Sequence, residues 1–136
     1  MKHFKLDPRL AADCIVLDRL NESHLLLMNN ALLPWFILVP ETKMTELTEL
    51  SREAQASLLE EINLVGNFVK QYFPVSKLNI AAIGNIVSQL HVHVIGRSPD
   101  DFCWPGVVWG RTEREPYDEE RILEIREAFR RLRADL

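Results

Sequence analysis

The sequence is poor in cysteine, has no excess of basic charge and contains no long apolar run. Cys14 and Cys103 are the only cysteines in 136 residues, too few for a disulfide framework and typical of reduced thiols in a cytoplasmic protein. Lysine and arginine number 16 against 20 acidic residues, which excludes the broad basic surface that binds nucleic acid polymers. No apolar run reaches the roughly 18 residues of a membrane span, and the N-terminus lacks the apolar core of a signal peptide. These absences predict a cytoplasmic protein with neither a nucleic acid polymer nor a membrane as partner.

The composition is that of an ordinary globular domain. Hydrophobic residues make up 47% of the chain and charged residues 26%, as in most globular proteins. A chain of this length can build one domain with a genuine core. No repeat, linker or low-complexity segment divides it, so we expect a single domain over residues 1–136.

The order of the predicted elements favours an α+β fold with an antiparallel sheet. Short apolar runs predict strands, and apolar residues at three- and four-residue spacing predict helices. The predicted elements are a helical turn after Pro8, strands at 14–17, 24–28, 35–39 and 77–83, a strand at 89–95, a helix from about Leu47 to Tyr72 and a helix from about Asp118. Thr45 is the predicted N-cap of the long helix and Pro74 its stop. The strand at 35–39 is apolar throughout, which predicts a central position.

One stretch, residues 89–94, alternates apolar and polar side chains and contains half of the four histidines. Its apolar residues would face the core, and its polar residues would line the opposite face of a strand. The polar residues are Gln89, His91 and His93. Since residues two apart on a strand are roughly 6.6 Å apart, these three groups could act together on one small ligand.

The residues alone leave four interpretations of this strand. It could be a polar surface with incidental histidines, or a zinc site, because His-x-His on a strand offers two ligands. A third ligand would have to come from His3, His24, a cysteine or a distant carboxylate, and none has a recognisable spacing. The imidazoles could instead act as nucleophiles through a covalent intermediate, or bind a ligand without turnover.

Residues 89–95, Gln-Leu-His-Val-His-Val-Ile, resemble the motif His-φ-His-φ-His-φ-φ of the histidine triad (HIT) family of nucleotide hydrolases and transferases. The family's nucleotide-binding hairpin is resembled by Met28-Asn29 together with Pro34 and the strand 36–40. Gly84-Asn85 resembles the Gly-Gln pair before the motif, and Trp104-Pro105-Gly106 resembles the Trp-Pro-Pro-Gly loop after it. The chain is identified on these segments as similar to bacterial-type members of the family over roughly residues 13–106.

The resemblance implies a fold and a mechanism. The fold would be HIT-like, a five-stranded antiparallel sheet with a long central helix and a C-terminal helix, and two copies would pair as a homodimer. His91 would attack the α-phosphorus of a nucleotide and form a nucleotidyl-imidazole, which water then hydrolyses. Its other ring nitrogen would donate to the backbone carbonyl of Gln89, and His93 would bond to the non-bridging phosphate oxygens.

Three residues depart from the family pattern. Gln89 takes the place of the first of the three catalytic histidines, and glutamine can donate a hydrogen bond but cannot become cationic or move a proton. Ile86 stands where the phosphoramidase branch has a hydroxyl near the leaving group. Trp35 stands near a histidine of the family's nucleotide pocket.

Three amides complete the site that the resemblance implies. Asn29 would bind the ribose hydroxyls, and Asn79 and Asn85 would lie near the phosphates, with no metal ion and no cofactor. We therefore expect a nucleotide hydrolase or nucleotidyl transferase that acts on a nucleotide-type small molecule. The alternative is a HIT-fold protein that binds nucleotides with little or no turnover.

Overall fold

The computed structural model describes residues 4–135, and its five strands form one antiparallel sheet in the order β1-β2-β3-β5-β4. In chain order the elements are α1 (Pro8–Asp13), β1 (Cys14–Arg19), β2 (Ser23–Met28), β3 (Trp35–Pro40), a 3₁₀ helix (Leu47–Glu49), α2 (Arg52–Tyr72), β4 (Lys77–Ala81), β5 (Val92–Arg97) and α3 (Glu119–Ala134). This arrangement confirms the predicted α+β fold with a long central helix and a C-terminal helix. The ends of the predicted domain, residues 1–3 and 136, lie outside the described residues.

Both faces of the sheet are covered, and this decides the environment of the site. The central strand β3 is buried along its whole length, as predicted. One face packs on α2 and α3 through residues such as Phe68 and Phe129. The other face packs on the N-terminal segment (residues 4–10) and on the loop after β5 (residues 98–110), which contribute Leu10, Cys103 and Val108. The alternation at 89–94 predicted one buried face, but side chains on either face of β5 are withdrawn from water.

The long helix begins later than predicted. Its N-cap is Ser51, whose Oγ accepts a hydrogen bond from Ala54 N at 3.1 Å, and not Thr45. The 3₁₀ helix at Leu47–Glu49 precedes this cap, and the apolar spacing runs through both segments, so periodicity could not separate them. The predicted stop at Pro74 is confirmed, since α2 ends two residues before it.

The connection between β4 and β5 differs most from the prediction. β4 ends at Ala81 instead of residue 83, and β5 begins at Val92 instead of residue 89. The ladder between them stops at the pair of Ala81 and His93. Residues 82–91 leave the sheet, and there the side chain of Gln89 bonds to the N-terminal segment instead of standing on a strand. Gln89 and His91 therefore lie in the connection just before the first residue of β5.

The described part of the chain, residues 4–135, has no helix that is both long enough and apolar enough to cross a bilayer.

Substitution of the observed cap should destabilise the fold. Ser51→Ala removes the acceptor of Ala54 N–H in the first turn of α2 and should lower the free energy of unfolding by about 1 kcal/mol. Thr45→Ala is the matched control and should change it by less than about 0.5 kcal/mol. Urea unfolding of both variants measures the difference. A larger loss at Thr45 than at Ser51 would mean that the helix starts where the sequence pattern predicted.

Candidate active site

His91 and His93 lie side by side where the chain enters β5, and each is only 6% exposed. Their ring centroids are 5.0 Å apart. His91 Nδ1 lies 2.7 Å from the carbonyl oxygen of Gln89. Since a carbonyl can only accept, Nδ1 carries the proton of the neutral ring, and Nε2 keeps a free lone pair. The backbone thus holds His91 in the tautomer that a nucleophile or base requires.

Trp35 sets the opposite tautomer on His93. The indole Nε1–H donates to His93 Nδ1 at 3.0 Å, and an indole N–H cannot accept. The neutral ring of His93 therefore carries its proton on Nε2. Burial, and to a smaller extent the neighbouring His91, lowers the pKa of His93 to about 4, so the ring is neutral at pH 7. One histidine presents an Nε2 lone pair and the other an Nε2–H donor.

His91 lines a groove of about 230 Å³ between the 3₁₀ helix and the 82–91 connection. The other lining residues are Thr45, Glu46, Leu47, Thr48, Ala82, Ile83, Gly84 and Leu90. Gly84 has a φ of +69°, a left-handed conformation that costs glycine little. Within residues 4–135, no backbone N–H between 82 and 91 donates to a protein acceptor. A glycine turn with unpaired N–H groups is a suitable environment for an anion such as phosphate.

The side chain of Gln89 is engaged with the N-terminal segment. Its Oε1 accepts from Asp7 N at 2.8 Å, and its Nε2 donates to the Lys5 carbonyl at 2.9 Å. A carboxamide presents one acceptor and one donor side by side, as a peptide group does, so it pairs with the backbone on both sides of Leu6. Gln89 therefore serves His91 with its backbone and anchors the N-terminal segment with its side chain.

The three predicted substrate amides are not gathered around the histidines. Asn79 Oδ1 accepts from Arg97 Nη1 at 2.9 Å. Asn29 follows the last residue of β2, at the end of that strand that lies away from the groove. Its Oδ1 accepts a hydrogen bond from Tyr117 N at 2.9 Å. Both asparagines keep an Nδ2 donor without an acceptor in residues 4–135. Asn85 is exposed in the 82–91 connection, next to the groove.

Arg97 supports the site, although the sequence pattern alone did not predict this role. It is 1% exposed, and its guanidinium donates to Asp101 Oδ2 at 2.8 Å and to the Gly106 carbonyl at 2.8 Å. These bonds hold the loop after β5, with its Trp-Pro-Gly segment, against the face that carries the histidines. The available signal was the two-residue period, which continues from His93 to Arg97.

Among residues 4–135, no three His, Cys, Asp or Glu side chains are grouped so that they could hold a metal ion. His24, one of the candidate third ligands, has its Nε2 2.8 Å from Glu41 Oε1 and its ring stacked on Phe4 at a centroid distance of 4.6 Å. Cys14 and Cys103 are free thiols. His3 lies outside the described residues.

A family model described as the HIT domain matches residues 9–100, which is more than half of the chain. The chain belongs to the HIT family. Proteins of this family generally bind or hydrolyse nucleotides. The predicted resemblance is thereby confirmed at the level of the family.

Solved structures of bacterial HIT proteins are similar along almost the whole chain. A histidine triad protein from Sinorhizobium meliloti is 42% identical, with 96% of this chain and 98% of that chain covered and a TM-score of 0.92. One from Marinobacter aquaeolei is 40% identical, covers 98% of both chains and has a TM-score of 0.91. One from Bradyrhizobium japonicum is 38% identical, with 93% and 96% covered and a TM-score of 0.89. The comparison with curated proteins gave no match.

The burial of His93 predicts a specific dependence of stability on pH. Its pKa is about 4 in the folded protein against 6.5 for an exposed ring, so between these values the unfolded chain takes up a proton that the folded chain does not. The contribution of His93 to the free energy of unfolding is therefore complete above pH 6.5. It falls by about 3 kcal/mol as the pH drops to 4 and is constant below that pH.

Urea unfolding from pH 7.5 to 3.5 measures this loss in the wild type and in His93→Gln. Glutamine can still accept from the Trp35 indole but does not titrate. The difference in free energy of unfolding between the two proteins should follow the predicted pH dependence. The titration of the carboxylates contributes equally to both proteins and cancels in this difference. A difference that does not change with pH would show that His93 binds its second proton equally well in both states.

Proposed function

We propose that this HIT-family chain is a nucleotide hydrolase or nucleotidyl transferase with His91 as its nucleophile. The observation that carries the proposal is the pair of opposite tautomers. His91 has an unprotonated Nε2 because its Nδ1–H bonds to the Gln89 carbonyl, and His93 has an Nε2–H because Trp35 donates to its Nδ1. A lone pair beside a hydrogen-bond donor suits attack on a phosphorus whose oxygens gain negative charge.

The reaction would run in two displacements at the α-phosphorus. His91 Nε2 forms a bond to phosphorus while the bond to the leaving group breaks, which gives a nucleotidyl-imidazole. The carbonyl of Gln89 stabilises the charge on the ring through Nδ1–H. His93 Nε2–H donates to a non-bridging oxygen. Water, or an acceptor in the transferase case, then displaces His91.

The substrate would lie along the face of the sheet that carries the histidines. The unpaired N–H groups of the 82–91 connection, together with Asn85, would bind phosphate oxygens. The free Nδ2 donor of Asn79, which pairs with Ile95 across the sheet, is suited to an oxygen acceptor further along this face, and Asn29 would bind the ribose hydroxyls. In this proposal, Gln89 belongs to the catalytic group through its backbone carbonyl.

A covalent intermediate on His91 tests the proposal. After rapid mixing with a nucleoside phosphoramidate or a dinucleoside polyphosphate and quenching, mass spectrometry of peptides should find one nucleotidyl group on the peptide that contains His91. His91→Ala should form no adduct and lose at least about 10³-fold in turnover, because the nucleophile is removed. Absence of the adduct together with full activity of His91→Ala would disprove the mechanism.

The same variant separates an enzyme from a binding protein. A protein that only binds nucleotides would show no cleavage above buffer in its native form, and His91→Ala would retain its nucleotide affinity. In the hydrolase, the native protein turns over and His91→Ala binds without turnover. Equilibrium binding of a non-cleavable nucleotide analogue gives the affinity in both proteins.

We also propose a cytoplasmic homodimer that pairs through β4. The two free thiols are typical of a reducing compartment. β4 is an edge strand with unpaired backbone groups. Ile80 is exposed on it, on the face that α2 covers, and Ile83 and Ile86 are exposed in the connection that follows. An apolar edge of this kind suits a two-fold pairing of sheets.

Light scattering at micromolar concentration should give twice the chain mass of 15.8 kDa. Ile80→Lys should shift the protein towards monomer, because it places a charge in the proposed interface. Leu123→Lys is the matched control, since Leu123 is an exposed apolar residue on α3, which bonds to β1 at the opposite edge of the sheet. A monomeric wild type would contradict the pairing.

A further inference from the structure

A leaving group of high basicity needs a proton as its bond to phosphorus breaks, and a general acid must supply it. The family resemblance indicates three positions from which such a proton could come. The first is His93, the other histidine of the motif. The second is Gln89, in the place of the first triad histidine, and the third is Ile86, in the place of the family's hydroxyl near the leaving group.

Geometry keeps His93 from acting as an acid at neutral pH. To give up a proton readily, the ring would first have to carry protons on both nitrogens. Its Nδ1 already accepts the Trp35 N–H at 3.0 Å, so a second proton there would set two N–H groups against each other in the interior. Independently of this bond, burial and, to a smaller extent, His91 lower the pKa of His93 to about 4. Neutral His93 can donate a hydrogen bond but does not transfer its proton.

Gln89 and Ile86 supply no proton either. The Gln89 amide has no ionisable proton, and its oxygen and one of its two N–H groups are engaged by the backbone of Asp7 and Lys5. Ile86 has a hydrocarbon side chain that is 80% exposed. Its carbonyl accepts from Arg9 Nη1 at 2.9 Å, which ties it to the same N-terminal segment. Apart from His91, the ionisable side chain on the groove wall is that of Glu46, and a carboxylate accepts hydrogen bonds.

We infer that this site takes substrates whose leaving group departs as a weakly basic oxyanion, such as the phosphate oxygen of a dinucleoside polyphosphate, and discriminates against amine leaving groups. The inference rests on the proposed function and adds the class of bond that is cleaved. The bond from His91 Nε2 to phosphorus forms, the P–O bond breaks, and its electron pair stays on the departing oxygen. Water then attacks phosphorus, releases one proton to solvent, and His91 departs as a neutral ring.

A series of leaving groups on one nucleotide tests the inference. The series comprises a dinucleoside triphosphate, aryl esters of the nucleoside monophosphate with increasingly basic phenols, and an alkylamine phosphoramidate, each made with adenine and with guanine. In the wild type at pH 7, kcat/KM should fall steeply as the leaving group becomes more basic. The anhydride should exceed the phosphoramidate by about 10²–10⁴-fold beyond the ratio of their uncatalysed rates, which is the range that a general acid contributes.

Trp35→Phe tests the geometric cause. It removes the indole N–H and keeps an aromatic ring, so Nδ1 of His93 becomes free to take a second proton. At pH 5.5 the preference for the anhydride over the phosphoramidate should be smaller than in the wild type, even if both rates decrease. Trp104→Phe is the matched control, because Trp104 is exposed and lies over Arg97 instead of the histidines. Its preference should equal that of the wild type.

Glu46→Gln asks whether the carboxyl on the groove wall donates the proton. If the inference holds, this variant leaves the dependence on leaving-group basicity as steep as in the wild type. A wild type that cleaves all members with a shallow dependence, or a Glu46→Gln variant that loses only the phosphoramidate reaction, would overturn the inference and leave the nucleotidyl-histidine mechanism standing. If no member of the series is cleaved, the proposed function falls and this inference falls with it. The wild-type series decides the question even if a variant does not fold.

Discussion

Two imidazoles are buried side by side in the interior of this protein, and much of the structure follows from that constraint. At a centroid distance of 5.0 Å, two rings in a region of low dielectric cannot both be charged. Each polar ring nitrogen that is removed from water also needs a partner. The Gln89 carbonyl accepts from one ring, and the Trp35 indole donates to the other. Because one partner accepts a hydrogen bond and the other donates one, the two histidine side chains carry their protons on different ring nitrogens.

The cover that buries the imidazoles comes from distant parts of the chain. The N-terminal segment is anchored by the amide of Gln89, and the loop after β5 is anchored by the guanidinium of Arg97. The bonds from Asp7 N to Gln89 and from Arg97 to the Gly106 carbonyl are partly buried, and such hydrogen bonds are electrostatically stronger than the same bonds in water. The site is thus closed by one segment from the N-terminal part of the chain and by the loop that follows β5, and its geometry depends on the complete fold.

Local pattern was enough to predict the five strands and the two long helices without their exact ends, the central position of β3 and which side chains share a face of β5. Periodicities of 2 and 3.6 report which side a residue faces, and the cores on both faces of the sheet confirm this. Periodicity does not report what lies opposite. The burial of His93 depends in part on the folded loop after β5, where the Trp109 ring lies 5.3 Å from the ring of His93. The N-cap of α2 at Ser51 could not be predicted for a related reason, because a 3₁₀ turn and an α-helix share similar apolar spacing over a few residues.

The contacts of the site were harder to predict than its members, because a residue type fixes which hydrogen bonds are possible and the fold decides which are made. From the sequence, Gln89 is a triad position that has lost its imidazole. In the structure, its carboxamide pairs with backbone groups of Lys5 and Asp7, a task that requires a donor and an acceptor on one carbon. Its backbone carbonyl meanwhile sets the tautomer of His91, so a change at this position acts on the N-terminal segment and on the nucleophile together. A glutamine here therefore has a physical role of its own, distinct from that of the histidine that it replaces.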